Sequence, residues 1–156
     1  ESEGVMKRTK RPPRIKGRKL KAGERSLAYL RRQGWTAEVC EQFKALVEGQ
    51  GQQAIFKGGF RKDLFGFVDI LAYQAHETLA VQATSRQQMT AHLRKYRRDP
   101  EIRQRILDWI ACPNRRLQLL GWECVEVPCK SRAGTKAEWR VTKRDVMAAD
   151  LIEAVF

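Results

Sequence analysis

Asp69, Gln82 and Thr84 are the residues of this chain whose types and spacing could do chemistry together. They lie in the stretch 63–85, DLFGFVDILAYQAHETLAVQATS, where apolar runs at 67–73 and 79–84 flank a polar link at 74–77. That pattern predicts a β-hairpin with a four-residue loop. Pairing Tyr73 with Thr78 sets Asp69 directly opposite Gln82, and cross-strand partners on one face sit roughly 5 Å apart. Thr84, two residues past Gln82, projects from the same face. A carboxylate, a carboxamide and a hydroxyl thus stand side by side on a mostly apolar sheet. A carboxylate in an apolar strand costs free energy unless it is paired or metal-bound. A Gln carbonyl can ligate a hard cation, although without formal charge. The competing reading of Asp69 is a structural acid at a strand end, where such residues are commonly exposed.

An Asp, a hairpin turn and an acid-x-Lys tripeptide form the core of the PD-(D/E)xK nuclease superfamily. The chain resembles that superfamily, and its Holliday-junction-resolvase branch, over residues 26–127, in the form Asp69…Gln82-Ala83-Thr84. The run DLFGFVDIL followed by LAVQATS looks like a phage and bacterial branch of it. Two positions depart from the pattern: Gln82 stands where Glu is usual, and Thr84 where the catalytic Lys is usual. The resemblance implies an α/β (α+β) restriction-endonuclease-like fold, with a mixed sheet of about four to five strands flanked by helices. It implies DNA as partner, Mg²⁺ or Mn²⁺ as cofactor, and a symmetric homodimer.

Phosphodiester hydrolysis needs a polarised phosphorus, an activated water and a stabilised leaving oxygen, much of which a hard divalent cation supplies. Carried over by motif position, Asp69 is the metal carboxylate and Gln82 the second ligand. Because Gln82 brings no charge, a further carboxylate is needed. Asp63 is the first choice, and Glu38 or Glu41 follows if their segment is the first strand. Thr84 can orient a water but leaves phosphate charge uncompensated. Arg86 and Lys95, on the helix that follows, are candidate substitute cations, with simple phosphate contact as their alternative role. The leading expectation is a metal-dependent DNA endonuclease, with branched DNA as one version of its substrate. The alternatives are a catalytically silent relative that only binds DNA or RNA, and a structural component of a phage or nucleoprotein particle.

The charge balance supports a polyanionic partner. The 156 residues carry a net +13, which favours nucleic acid. Lys7, Arg8, Lys10, Arg11, Arg14, Lys16, Arg18, Lys19 and Lys21 crowd one segment that also holds Pro12, Pro13 and Gly17. Like charges repel there, and too few apolar groups offset chain entropy. Residues 1–22 are therefore expected to be a disordered basic arm for phosphates, and residues 23–156 the nuclease-like domain. Residues 1–25 hold ten Lys or Arg and three acids, so the remainder keeps a net +6. The stretch ESEGV ahead of Met6 is set aside from fold reasoning. No run of about 18 apolar residues is present to span a membrane, and the N-terminus lacks the apolar core of a signal peptide. An intracellular, cytoplasmic setting is expected, with Cys40, Cys112, Cys124 and Cys129 reduced. Neither these cysteines nor His76 and His92 have zinc-ligand spacing.

Elements to hold the hairpin follow from local signals. Ser26 is expected to cap a first helix that Gly34 stops. Residues 36–47 are ambiguous: Val39, Phe43 and Leu46 suit a helical face, whereas the resemblance makes residues 36–43 the first strand, the preferred reading. Gly58-Gly59 marks a bend or bulge in the stretch 54–61. Phe60, Phe65 and Phe67 are expected in the core rather than as base-stacking platforms. Ser85 caps a helix to Arg98 whose inner stripe is Met89, Leu93 and Tyr96. Asp99-Pro100-Glu101 opens another. Residues 117–127 and 137–141 read as strands, the first with Gly121 as a possible bulge. Thr142 to Asp145 resembles a capping box opening a last helix to Ala154.

Overall fold

The computed structural model describes residues 20–49, 51–130 and 133–152. Arm residues Lys7, Arg8, Lys10, Arg11, Arg14, Lys16, Arg18 and Lys19 lie outside the described residues; Lys21 lies within them. In chain order the elements are α1 (Ala22–Arg32), β1 (Thr36–Val39), β2 (Gln42–Glu48), β3 (Ile55–Lys62), β4 (Ile70–Gln74), β5 (Glu77–Ser85), α2 (Met89–Arg98), α3 (Pro100–Ile110), β6 (Arg115–Pro128) and β7 (Thr135–Asp145). The fold is a mixed α+β one. A five-stranded sheet runs in the order β1-β4-β5-β6-β7, and β2 with β3 forms a separate two-stranded sheet. Among the described residues, only β5 and β6 pair in parallel. A parallel pair needs a crossover, and α2 and α3 lie in it.

β5 is the central strand because both its faces are apolar. Leu79 and Val81 pack with Leu30 of α1, Ile70 and Leu120. Ala80 points the other way, into a larger core with Leu93, Tyr96, Ile106 and Leu119 under α2 and α3. Gln82 and Thr84 share the parity of Ala80, so they enter the second core and are only 4% and 7% exposed. The hairpin register is as expected: Tyr73 pairs with Thr78 and Ile70 with Val81. Its link is shorter than expected. Gln74 pairs with Glu77, leaving Ala75-His76, because polar side chains at a hairpin tip do not stop the backbone ladder.

α1 and α3 begin where backbone donors find an acceptor. Asp99 caps α3 through bonds from the Glu101 and Ile102 N–H groups at 3.0 and 3.1 Å. Ser26 is not the cap of α1. It lies buried inside the helix and accepts a 2.9 Å bond from the Trp122 indole. Residues 36–43 are extended, split between β1 and β2, and the would-be helical face of Val39, Phe43 and Leu46 is solvent-exposed. The last helix is absent from residues 142–145. Thr142 to Asp145 continue β7 by pairing with Gly121 to Gln118, since a long partner strand outweighs a local capping signal. A short 3₁₀ turn, Ala148–Leu151, follows, and the expected helix end at Ala154 lies outside the described residues. Gly121 makes no bulge, as both its ladders run unbroken. It is small because a Cβ there would come 2.2 Å from Met89 Sδ. The β2–β3 register does slip, between Ala45 and Val47, beside the anticipated glycines. All four cysteines are free. Among the described residues no helix is long and apolar enough to cross a membrane.

Candidate metal centre

Asp69 lies just before β4, wedged between β1 and β5. Its carbonyl accepts from the Cys40 N–H at 2.9 Å, and its own N–H donates to Val81 O at 2.9 Å. Its side-chain Oδ2 takes two further bonds, from Gln82 Nε2 at 2.6 Å and the Ala83 N–H at 2.8 Å. The hairpin thus brings Asp69 and Gln82 together as expected. Gln82 Oε1 is turned to the Tyr96 hydroxyl, which donates to it at 3.3 Å. The carboxamide is held at both ends, so its oxygen faces α2 while its nitrogen braces Asp69.

Two further carboxylates join Asp69 from outside the β4–β5 hairpin. Carboxylate oxygens of Glu41, Asp63 and Asp69 all lie within 4.8 Å of one another. Asp63, the first choice of additional acid, and Glu41, one of the two that follow it, both lie in the cluster; the other, Glu38, on β1 opposite Leu71, does not. The positions of Glu41 and Asp63 have one cause. Glu41 immediately precedes β2, and Asp63 immediately follows β3, so the β2–β3 pairing closes the two acids onto each other. Asp63 is then folded back on Asp69 by a tight turn, in which Val68 N–H donates to Leu64 O at 3.0 Å and both Phe65 and Gly66 have positive φ.

Crowded carboxylates repel, and one responds by holding its proton. Burial, reinforced by Asp63 and then Glu41, pushes the Asp69 carboxyl from 3.8 up to about 7, against the lowering effect of the Ala83 N–H. Three oxygen donors in this spacing are candidate ligands for a hard divalent cation. Around octahedral Mg²⁺, with bonds of about 2.1 Å, adjacent ligand oxygens lie about 3 Å apart and opposite ones about 4.2 Å, so the three carboxylates would draw together around an ion. Gln82 and Tyr96 would then act from behind, fixing the Asp69 carboxylate.

Cations border the cluster. Arg61 Nη1 pairs with Glu41 at 2.6 Å. Lys21, the one cation of the expected arm among the described residues, lines a 370 Å³ cavity with Glu41, Arg61 and Asp69. The arm's attachment point is therefore at the mouth of the acid cluster. Thr84 is buried and offers no charge. Of its two proposed substitutes, Arg86 is ion-paired with Glu123 on β6. Lys95 reaches the cluster side instead, its Nζ donating to Gly66 O at 3.3 Å.

His92, one turn before Tyr96 on α2, gave no signal in the sequence because it lacks a zinc-spaced partner. Its Nδ1 is the one buried side-chain polar atom without a hydrogen bond among the described residues. Burial and then Lys95 hold its pKa below the ordinary value, while Asp63 opposes them. Burial and Asp69 likewise push the Cys40 thiol up. A larger, mostly apolar cavity of 560 Å³, among Leu107, Ile110, Leu117 and Val146, lies toward the other end of β5 and has no acid cluster. Comparison of the chain with protein-family models, curated proteins and solved structures finds no match.

Proposed function

We propose that this protein is a metal-dependent nucleic-acid hydrolase of the PD-(D/E)xK type, acting on DNA with Mg²⁺ or Mn²⁺. The observation that carries the reading is the convergence of Glu41, Asp63 and Asp69 beside the Gln82-Ala83-Thr84 segment, in a chain of net charge +13. In this reading the three carboxylates hold the ion, which lowers the pKa of a bound water and neutralises charge on the scissile phosphate. Glu41 takes over the charge that Gln82 lacks. Gln82 orients Asp69, and Lys95 and Arg61 supply the positive charge that Thr84 cannot.

Incubating the protein with plasmid and branched DNA in Mn²⁺ tests the reading. Nicking is expected in the wild-type protein and its loss in Asp69→Ala and Asp63→Ala; cleavage that survives both substitutions ends the assignment. A second reading, nucleic-acid binding without cleavage, is favoured by the buried, uncharged Thr84. It predicts tight binding and intact DNA in every divalent ion.

A further inference from the structure

We propose that the cavity between the β2–β3 hairpin and the 63–67 turn is a nucleotide subsite, in which Phe65 stacks on an unpaired base and Lys44 and Lys62 hold the adjoining phosphate. This rests on the reading of a nucleic-acid substrate and narrows it to DNA with an unstacked nucleotide next to the metal centre.

The first observation is the backbone. Phe65 has φ +58° and is the only non-glycine residue with positive φ among those described; Gly66 follows at +85°. Leu64 O accepts from the Phe67 N–H at 3.3 Å across this pair, which makes a turn of the primed kind that Asn-Gly or Asp-Gly occupies without strain. A bulky aromatic is an outlier there, and outliers held in place gather at functional sites. The second observation is exposure. Phe67 is buried at 1%, but Phe65 is 49% exposed and Phe60 52% exposed, contrary to their expected place in the core. Phe60 sits on a two-stranded sheet with both faces in solvent. Phe65 sits at the turn tip, its ring 6.3 Å from that of Phe67. Burial of the ring therefore does not account for a strained aromatic at this position.

The third observation is the wall around it. A 330 Å³ cavity is lined by Phe65 with Lys44, Lys62, Arg105 and Asp63. Lys44 and Lys62 make no ion pair among the described residues. Arg105 braces the turn by donating to Phe65 O at 3.3 Å. Asp63 belongs to the acid cluster, so a phosphate held by the two lysines would lie beside the metal centre. Free cations around one exposed aromatic plane suit a ligand with a phosphate and a flat π-face. Inside a duplex both base faces are already stacked, so the ring requires an unpaired base.

The test titrates the protein, in Ca²⁺, with a single-stranded DNA oligonucleotide carrying 2-aminopurine, and reads anisotropy, base fluorescence and Tm. Wild type is expected to bind and to quench the base. Phe65→Asn should weaken binding about tenfold or more and abolish quenching, with Tm equal to or above wild type because the turn strain is relieved. Phe65→Tyr should keep affinity and quenching. Lys44→Gln with Lys62→Gln should flatten the log–log salt slope by about 0.7, the loss of one phosphate contact on a single strand. Unchanged affinity and quenching in Phe65→Asn overturns the subsite, as does a fall in Tm or loss of folding in that variant, which would assign the ring to the core. If wild type cleaves DNA in Mn²⁺ but Phe65→Asn binds normally, the subsite fails and hydrolysis stands. If Phe65→Asn loses quenching but wild type cleaves nothing, hydrolysis fails and the subsite stands.

Discussion

Asp69→Asn separates a metal centre from a structural carboxylate by the sign of its effect. In wild type the Asp69 pKa rises from 3.8 to about 7. A carboxyl with a folded pKa above its unfolded one binds more protons when folded, so stability falls as pH rises between those two values. The penalty is absent below about pH 4 and complete above about pH 7. Its ceiling is roughly 4 kcal/mol, at about 1.4 kcal/mol per pH unit. Solvent at the cluster rim and proton sharing with Asp63 reduce the expected penalty to about 2 kcal/mol. Asn removes it without losing the local bonds. Gln82 Nε2 and the Ala83 N–H both converge on Oδ2, which an amide oxygen can replace, and the amide N–H₂ then takes the side facing Asp63. In EDTA at pH 8 the variant should melt about 4–8 °C above wild type, with the gain vanishing toward pH 4. Mn²⁺ at a hundredfold excess over Kd should stabilise wild type by about 2.7 kcal/mol, and Asp69→Asn should lose most of that. Differential scanning calorimetry at pH 4, 6 and 8, with EDTA or Mn²⁺, reads both effects. A variant that melts below wild type at pH 8, or that retains the full Mn²⁺ shift, would refute this account of the cluster.

Gln82→Glu restores the acid usual in the resembled motif and places a second carboxylate against Asp69. In EDTA at pH 8 it should destabilise by about 2–4 kcal/mol, and its Mn²⁺-induced rise in Tm should exceed that of wild type. Gly121→Ala drives a Cβ to 2.2 Å from Met89 Sδ and 3.0 Å from Arg86 Cα; overpacking there should cost about 1–3 kcal/mol, measured by urea unfolding. Deleting residues 1–21 removes nine Lys and Arg between Lys7 and Lys21. Fluorescence anisotropy should show the salt slope on duplex DNA flattened by about 4–5 units, with Tm nearly unchanged; an unaltered slope would assign the arm to another partner.

Much of the site's frame was legible in the chain itself. The apolar runs 67–73 and 79–84 and the short polar link between them were enough to set the hairpin register and to bring Asp69 against Gln82, because a short link fixes which residues face each other. The caps of α3, the stop at Gly34 and the irregularity beside Gly58-Gly59 were equally local. Tertiary structure decided the rest. That Glu41 and Asp63 meet depends on β2 closing against β3 across 20 residues, and on a strained turn returning Asp63 to Asp69; no spacing rule encodes either. Gln82 could be read as a ligand until Tyr96, from a helix outside the hairpin, claimed its oxygen. The capping signal at Thr142 was real chemistry overruled by a partner strand, since β6 offers a continuous backbone ladder and a capping box only a few bonds. Phe60 and Phe65 read as core by composition. Only the three-dimensional arrangement leaves them in solvent, Phe60 on a two-stranded sheet exposed on both faces and Phe65 at the tip of the turn that follows Asp63.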